Sequence, residues 1–286
     1  MLMKKVFLMA VLSVFALAVC AQSWESSVKV YGTKITSSNV DNISSLFKGD
    51  LKAGTITYDY PSNTLTLDGV KIERGEAGWM FAFTCEDLRD AYIVIKGTNV
   101  IENTTSKGGT GPAFGLNNGI TVFVDGASKD ATKDTIRIQN GGTDFIGDLY
   151  DSYGNSNKLR LRNLSLISYD IAWSLGGNND ERLLDLDIEK CYVRSYVTGG
   201  VLNHLASLNL KDCKFSKPAN AAFNETTHQV EANGEAPKLV EITVGKAQAI
   251  NQVDATMSTS AKIVKDGVMY INRGGRLFTI QGQEVK

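Results

Sequence analysis

The sequence predicts an all-β chain folded as a right-handed parallel β-helix, a solenoid with an N-terminal cap and a small C-terminal β unit. Three observations predict it. An eight-residue pattern, apolar-x-apolar-x-corner-apolar-x-apolar, recurs along the chain; its corner is mostly Gly or Asn; and each copy is followed by a further short apolar patch. Alternation with period two puts the apolar residues on one face of a strand, and a corner tolerant of positive φ lets the chain bend while that face stays inward. Repeats of roughly 22 to 28 residues suit a fold in which each turn buries its apolar face only by stacking on its neighbours.

The cleanest copies are Leu208-Asn-Leu210-Lys-Asp212-Cys213-Lys-Phe215, Leu186-Asp-Ile188-Glu-Lys190-Cys191-Tyr-Val193 and Leu159-Arg-Leu161-Arg-Asn163-Leu164-Ser-Leu166. Earlier copies are Leu65-Thr-Leu67-Asp-Gly69-Val70-Lys-Ile72 and Ile93-Val-Ile95-Lys-Gly97-Thr98-Asn-Val100, with a degenerate one at Ile136-Arg-Ile138-Gln-Asn140. The corners are then Gly69, Gly97, Asn140, Asn163, Lys190 and Asp212, of which Lys190 fits positive φ least well. Gly119-Ile-Thr-Val-Phe-Val124 fills the widest interval as an extra strand pair. The third patches, around residues 79–83, 112–114, 144–146, 171–173, 200–202 and 221–223, predict an internal column rich in rings. A β-sandwich would need successive tight hairpins, and Asn-Gly dipeptides occur only at Asn118, Asn140 and Asn233.

Residues 1–21 read as a secretory signal peptide: Lys4 and Lys5 precede an apolar run that ends in small residues before Gln22. Lipidation at Cys20 is the rival reading, disfavoured by Val19. The apolar run is shorter than the roughly 20 residues that span a bilayer, so no membrane span is expected in the mature chain. Losing Lys4 and Lys5 takes the formal charge from −1 to −3, which gives no basic excess for nucleic acid. Residues 22–64 form the cap: a strand from Ser27, a short helix or turn over 40–47, and a hairpin turning at Tyr60-Pro61-Ser-Asn63. The β-helix then spans 65–244, a low-complexity linker 245–261, and a hairpin-rich unit 262–286.

Three cysteines remain after processing, and no Cys-x-x-Cys or His cluster accompanies them, so the thiols give little support to a metal; no cofactor is expected, and calcium is left open without a motif for it. Cys191 and Cys213 share a slot in consecutive repeats and read as a buried column of thiols rather than a disulfide. The outward ladders, Arg137, Arg160, Asp187, Asn209 and Gln139, Arg162, Glu189, Lys211, alternate in sign; they suit a solubilising ion ladder better than an Arg patch gripping uronates. The candidate ligand site is the set of loops after the third patches: Tyr150, Asp151, Tyr153 and Asn157 in one, Asn178, Asn179 and Asp180 in the next, and Asn203 in the last. Tyrosine faces with amide and carboxylate side chains suit a sugar. Catalysis by paired carboxylates or a calcium cluster lacks the acids it needs on the ladders, and His204 and His228 lie far apart with no serine or cysteine constellation around them.

Gly54-Thr-Ile-Thr-Tyr-Asp59-Tyr-Pro-Ser-Asn63-Thr-Leu-Thr-Leu-Asp-Gly-Val, followed by Ile93-Val-Ile-Lys-Gly97-Thr-Asn99-Val-Ile101-Glu-Asn, resembles the carbohydrate-binding-domain-like β-helix proteins secreted by polysaccharide-degrading anaerobes. The resemblance covers roughly residues 28–244 and implies non-catalytic glycan binding, in some members of acidic plant polysaccharide with calcium, though no calcium motif is present to carry over. The last 25 residues, including Asp266-Gly267, Gly274-Gly275 and the closing Gly282-Gln-Glu-Val-Lys286, resemble the C-terminal sorting domain of the type IX secretion system. A plain C-terminal cap is the alternative. The resemblances imply a secreted protein, extracellular or at the outer-membrane surface of a Gram-negative bacterium, engaging secretion machinery through its C-terminus and a polysaccharide through its β-helix. A β-helical lyase or hydrolase, and a structural adhesin, are the alternative functions.

Overall fold

The computed structural model describes residues 23–74, 82–86, 89–103, 114–116, 119–139, 146–148, 157–171, 175–176, 183–197, 201–245, 260–265, 268–273, 276–279 and 284–285. The predicted signal peptide and most of the predicted linker lie outside these residues. The chain is all-β and divides into two compact units, residues 1–246 and 247–286.

The first unit opens with β1 (Glu25–Val30), β2 (Thr33–Thr36), a 3-10 stretch at Val40–Phe47, β3 (Leu51–Asp59) and β4 (Thr64–Arg74). β3 and β4 pair antiparallel with Asp59 opposite Thr64, which closes the predicted turn at Pro61. The cap is fastened where three segments meet. The Tyr31 hydroxyl donates to Asp50 Oδ2 at 2.9 Å, and the Arg74 guanidinium sits 5.5 Å from the Tyr31 ring centre. Burial, with the neighbouring Asp50 carboxylate, holds the Tyr31 phenol well above its ordinary pKa.

Five circuits follow; the first four lay a strand on each of three parallel ladders and the fifth on two of them. They are β5 (Phe83–Cys85), β6 (Ala91–Lys96) and β7 (Thr98–Asn103); β8 (Phe114–Leu116), β9 (Thr121–Gly126) and β10 (Thr135–Gln139); β11 (Ile146–Asp148), β12 (Asn157–Arg162) and β13 (Ser165–Ile171); β14 (Leu175–Gly176), β15 (Leu184–Glu189) and β16 (Tyr192–Val197); and β17 (Leu202–Asn203), β18 (Leu205–Lys211) and β19 (Cys213–Lys217). The first ladder runs β4-β6-β9-β12-β15-β18, the second β4-β7-β10-β13-β16 and the third β5-β8-β11-β14-β17, all parallel. The bent β4 joins the first two ladders into one long sheet, and β1 closes the third at its leading end by antiparallel pairing with β5.

At the far end β20 (Ala222–Asn224) and β21 (Gln229–Glu231) form a hairpin, and β22 (Leu239–Val244) inserts antiparallel between β16 and β19. Two expectations are corrected here. The patch at 221–223 belongs to the hairpin and not to the third ladder, and the last circuit is not a plain parallel addition. In the second unit β23 (Ser260–Lys265), β24 (Val268–Arg273), β25 (Arg276–Thr279) and β26 (Glu284–Val285) make a four-stranded antiparallel meander.

The register also differs from the sequence alignment. Leu65, Ile93, Val124, Leu161, Ile188 and Leu210 share one column, so the last three repeats are shifted by two residues from the expected alignment. A slip of two keeps every side chain on its face, so alternation alone cannot detect it. Gly119–Val124 supplies the first-ladder strand β9, and Ile136 and Ile138 lie on the second ladder, because residues 127–134 occupy the corner between them. Arg137 therefore stands apart from Arg160 and Arg162. In the second copy Asn99 and Ile101 turn inward, in place of the expected Thr98 and Val100.

The corners themselves are as expected. Gly69, Gly97, Asn163, Lys190 and Asp212 all have positive φ, while Asn140 lies outside the described residues. Lys190 holds φ +50 with an exposed side chain. We expect Lys190→Gly to raise stability by about 0.5 kcal/mol in urea titration: relief of left-handed strain slightly exceeds the added unfolded-chain entropy, and the exposed contact to Asp212 adds little.

Inside, Leu159, Leu186, Ile188, Leu164, Cys191 and Val193 are fully buried, with neighbouring turns covering one another. Phe47, Phe83 and Phe114 continue the packing as a run of rings, with Phe83 and Phe114 stacked at 5.3 Å. The next register positions on this ladder are Ile146, Leu175 and Leu202, while Phe145 and Trp173 of the expected ring column lie outside the described residues. Buried polar side chains serve the backbone at corners. Asn99 Oδ1 accepts from Val70 N–H at 2.9 Å, and Asp134 Oδ1 accepts from Gly97 N–H at 2.9 Å.

Candidate functional site

An outward position on a parallel ladder repeats at every turn, about 4.8 Å apart, so each outward column is a row of side chains along the sheet. On the first ladder one row is Tyr92, Phe123, Arg160, Asp187 and Asn209, and the next is Val94, Asp125, Arg162, Glu189 and Lys211. Arg160 pairs with Asp187, Arg162 with Asp125, and Lys211 Nζ reaches Glu189 Oε1 at 2.7 Å. The Lys211 contact lowers the pKa of Glu189, and Glu189 in turn raises that of Lys211. These cations are matched within the face, as the ion-ladder reading expects.

The aromatic end of the row is different. Tyr92 and Phe123 are stacked 4.8 Å apart at 8°, and Arg162 lies over the Phe123 ring at 5.5 Å. Tyr92 is 38 % exposed. On its β4 side it borders an open depression of about 370 Å³ lined by Pro61, Ser62, Asn63, Arg89, Asp90 and Tyr92. Alternation puts Tyr92 outward because Ala91 and Ile93 face the core, and the hairpin turn at Pro61 raises the opposite wall.

The depression is held from beneath by Asn63, which is 2 % exposed at φ +51. Its Oδ1 accepts from Tyr58 OH at 2.6 Å and from Ser27 Oγ at 2.8 Å, while its Nδ2 donates to the Asp90 carbonyl at 2.7 Å. The Asn63 carbonyl accepts from Tyr92 N–H at 3.0 Å. One side chain and its backbone thus tie the cap, the hairpin and the Tyr92 strand together. Burial pushes the Tyr58 phenol up to about 12, so it stays a hydrogen-bond donor across the neutral range.

The second wall is Arg89. Its Nη2 donates to the Tyr60 carbonyl at 2.6 Å and its guanidinium lies 5.0 Å from the Tyr60 ring centre, while Trp24 stacks on Tyr60 at 4.4 Å. Ser62 donates its backbone N–H to Asp59 at 3.1 Å and its hydroxyl to the same carboxylate. Asp90 is exposed, and its carboxylate has no partner among the described residues. The depression therefore offers a ring, a proline, a hydroxyl oxygen and an uncommitted carboxylate on a braced frame.

Of the loop residues expected to hold a sugar, Tyr150, Asp151, Tyr153, Asn178, Asn179 and Asp180 lie outside the described residues. The strands before these loops are neighbours as expected: Ile146 pairs with Leu175, Leu175 with Leu202, and Gly176 with Asn203. The structure places Asn157 and Asn203 in strands, both buried. Asn157 Oδ1 accepts from Ile120 N–H at 3.0 Å, and a Cβ on Gly176 would lie 2.7 Å from Asn203 Oδ1. Both are committed to packing between turns. Tyr92 was legible in the sequence only as an aromatic in the outward phase of a strand whose other outward residues are Val94 and Lys96.

Cys85, Cys191 and Cys213 are free and buried, and Cys191 N–H points to Cys213 Sγ at 3.1 Å, in keeping with a thiol column. Burial pushes the Cys85 and Cys191 thiols up to about 12. Unfolded thiols ionise first, so this contribution to stability is present below about pH 9 and is lost as pH rises towards 12. A thiol reagent at pH 8 is expected to leave the folded chain from residue 22 unlabelled and to label all three cysteines in denaturant.

Among the described residues no group of three His, Cys, Asp or Glu side chains could hold a metal ion, and no helix is long and apolar enough to cross a membrane. Comparisons with protein-family models, curated proteins and solved structures returned no match to this chain.

Proposed function

We propose that this chain is a secreted, non-catalytic polysaccharide-binding protein whose first unit is a right-handed parallel β-helix and whose C-terminal unit addresses it to an export system. Three parallel ladders visited in constant order support the β-helix, and right-handedness is the near-universal hand of parallel crossovers. The C-terminal resemblance supports export to the outer surface of a Gram-negative bacterium. The observation that carries the binding reading is the exposed Tyr92 ring at the edge of a braced depression containing Ser62 and Asp90. A ring face buries the apolar face of a sugar while hydroxyl and carboxylate oxygens take its hydroxyl protons.

The test is a glycan panel applied to the chain from residue 22 onward, followed by a product assay on each glycan that binds. Tyr92→Ala is expected to weaken binding at least about tenfold with an unchanged circular dichroism spectrum. Undiminished binding refutes this site, and product release favours the lyase or hydrolase reading. The neighbouring roots of β11, β14 and β17 favour a second reading, in which the loops bearing Tyr150 and Tyr153 bind the glycan. Tyr150→Ala with Tyr153→Ala would then carry the loss instead.

A further inference from the structure

We infer that the Tyr92 depression selects uncharged glycans and rejects uronate-rich ones, an inference that rests on this depression being the binding site proposed above. The charges at the site decide it. Arg89 is the one cation lining the depression, and its guanidinium is engaged by the Tyr60 carbonyl and the Tyr60 ring. Asp59 is engaged by the Ser62 N–H and hydroxyl. Asp90 is exposed, and among the described residues its carboxylate has no partner.

An ionised carboxylate has acceptors and no donor, so it matches sugar hydroxyls and repels a sugar carboxylate. Asn63 cannot supply the missing donors. Its amide nitrogen donates to the Asp90 and Arg89 carbonyls and its amide oxygen is occupied by Ser27 and Tyr58. A neutral chain laid on the Tyr92 ring meets one strong acceptor. A uronate chain meets the like charge of Asp90, while the lining cation Arg89 is turned to the Tyr60 carbonyl and ring, and discrimination of this kind follows from repulsion as much as from attraction.

The experiment measures affinities of the chain from residue 22 onward for a neutral β-glucan, a neutral xylan and polygalacturonate, each with and without calcium, for wild type, Tyr92→Ala and Asp90→Asn. Wild type is expected to bind a neutral glycan at least about tenfold more tightly than polygalacturonate, in a Tyr92-dependent way. Asp90→Asn is expected to weaken the neutral glycan several-fold and to narrow the preference, since it removes a charge-assisted bond and the repulsion together. A wild-type preference for polygalacturonate, including one that appears only with calcium, overturns the inference and leaves the site standing if Tyr92→Ala abolishes it. An unchanged preference in Asp90→Asn also overturns the inference. Failure of wild type to bind any of the three overturns both the inference and the glycan reading on which it rests.

Discussion

Gly126→Ala is expected to destabilise the first unit by about 3 kcal/mol or to prevent its folding, as overpacking against backbone does at the severe end. A Cβ at this position would lie 2.0 Å from the Asn163 carbonyl oxygen and 2.9 Å from its carbon. Neither can retreat, because Asn163 is the positive-φ corner of the next turn and its N–H donates to the Glu189 carbonyl at 3.1 Å. Asp134, 3.2 Å from the added carbon, already accepts from Ser128 and Gly97. The cause is space alone, which separates this glycine from Gly97. There the added carbon meets open space and φ is +67, so Gly97→Ala should cost only about 1 to 2 kcal/mol. Urea unfolding of both variants checks the contrast, and equal losses would show that turns do not approach one another as closely as the register requires.

Asn63→Ala is expected to cost about 3 kcal/mol and to abolish glycan binding with it. The substitution leaves the buried hydroxyls of Ser27 and Tyr58 without their shared acceptor and the Asp90 carbonyl without its donor. Unsatisfied buried groups cost about 1 to 3 kcal/mol each, and partial relaxation keeps the total below their sum. Asn63→Asp retains an acceptor but sets a buried carboxylate oxygen against the Asp90 carbonyl, so it should lose stability as well. Lowered melting temperatures in both variants support the hub. An alanine variant as stable as wild type would remove Asn63 from that role.

The strands and corners were legible because alternation and positive-φ tolerance are local properties. Leu186-Asp-Ile188-Glu-Lys190 announces an inward face and a bend without reference to any other turn. Register was less legible, since a shift of two leaves the alternation intact; only Gly126, fitted against Asn163, marks where the corners change phase. The strand Leu239–Val244 alternates like its neighbours, and nothing in its own residues says that it runs antiparallel between β16 and β19.

The site was harder to read for the same reason. Asn157 looked like a loop residue because Asn favours turns, yet its amide answers a backbone N–H on the adjacent turn, a partner distant in sequence. Arg137 looked like a member of the Arg160 row because residues 127–134 could not be recognised as a corner. The Tyr92 depression needs the 60–63 turn, Arg89 and β6 to converge, and only the fold supplies that convergence. The tyrosines of the predicted loops carried more obvious sugar-binding chemistry than a lone tyrosine in a strand.

The most direct test of the account is amide hydrogen exchange on the chain from residue 22 onward, with and without a saturating neutral oligosaccharide. Binding at the depression predicts slowed exchange in residues 59–64 and 89–93, the turn and strand that frame Tyr92, with the far circuits unchanged. Protection confined to the loops after β11 and β14, or none at all under saturating ligand, would contradict it.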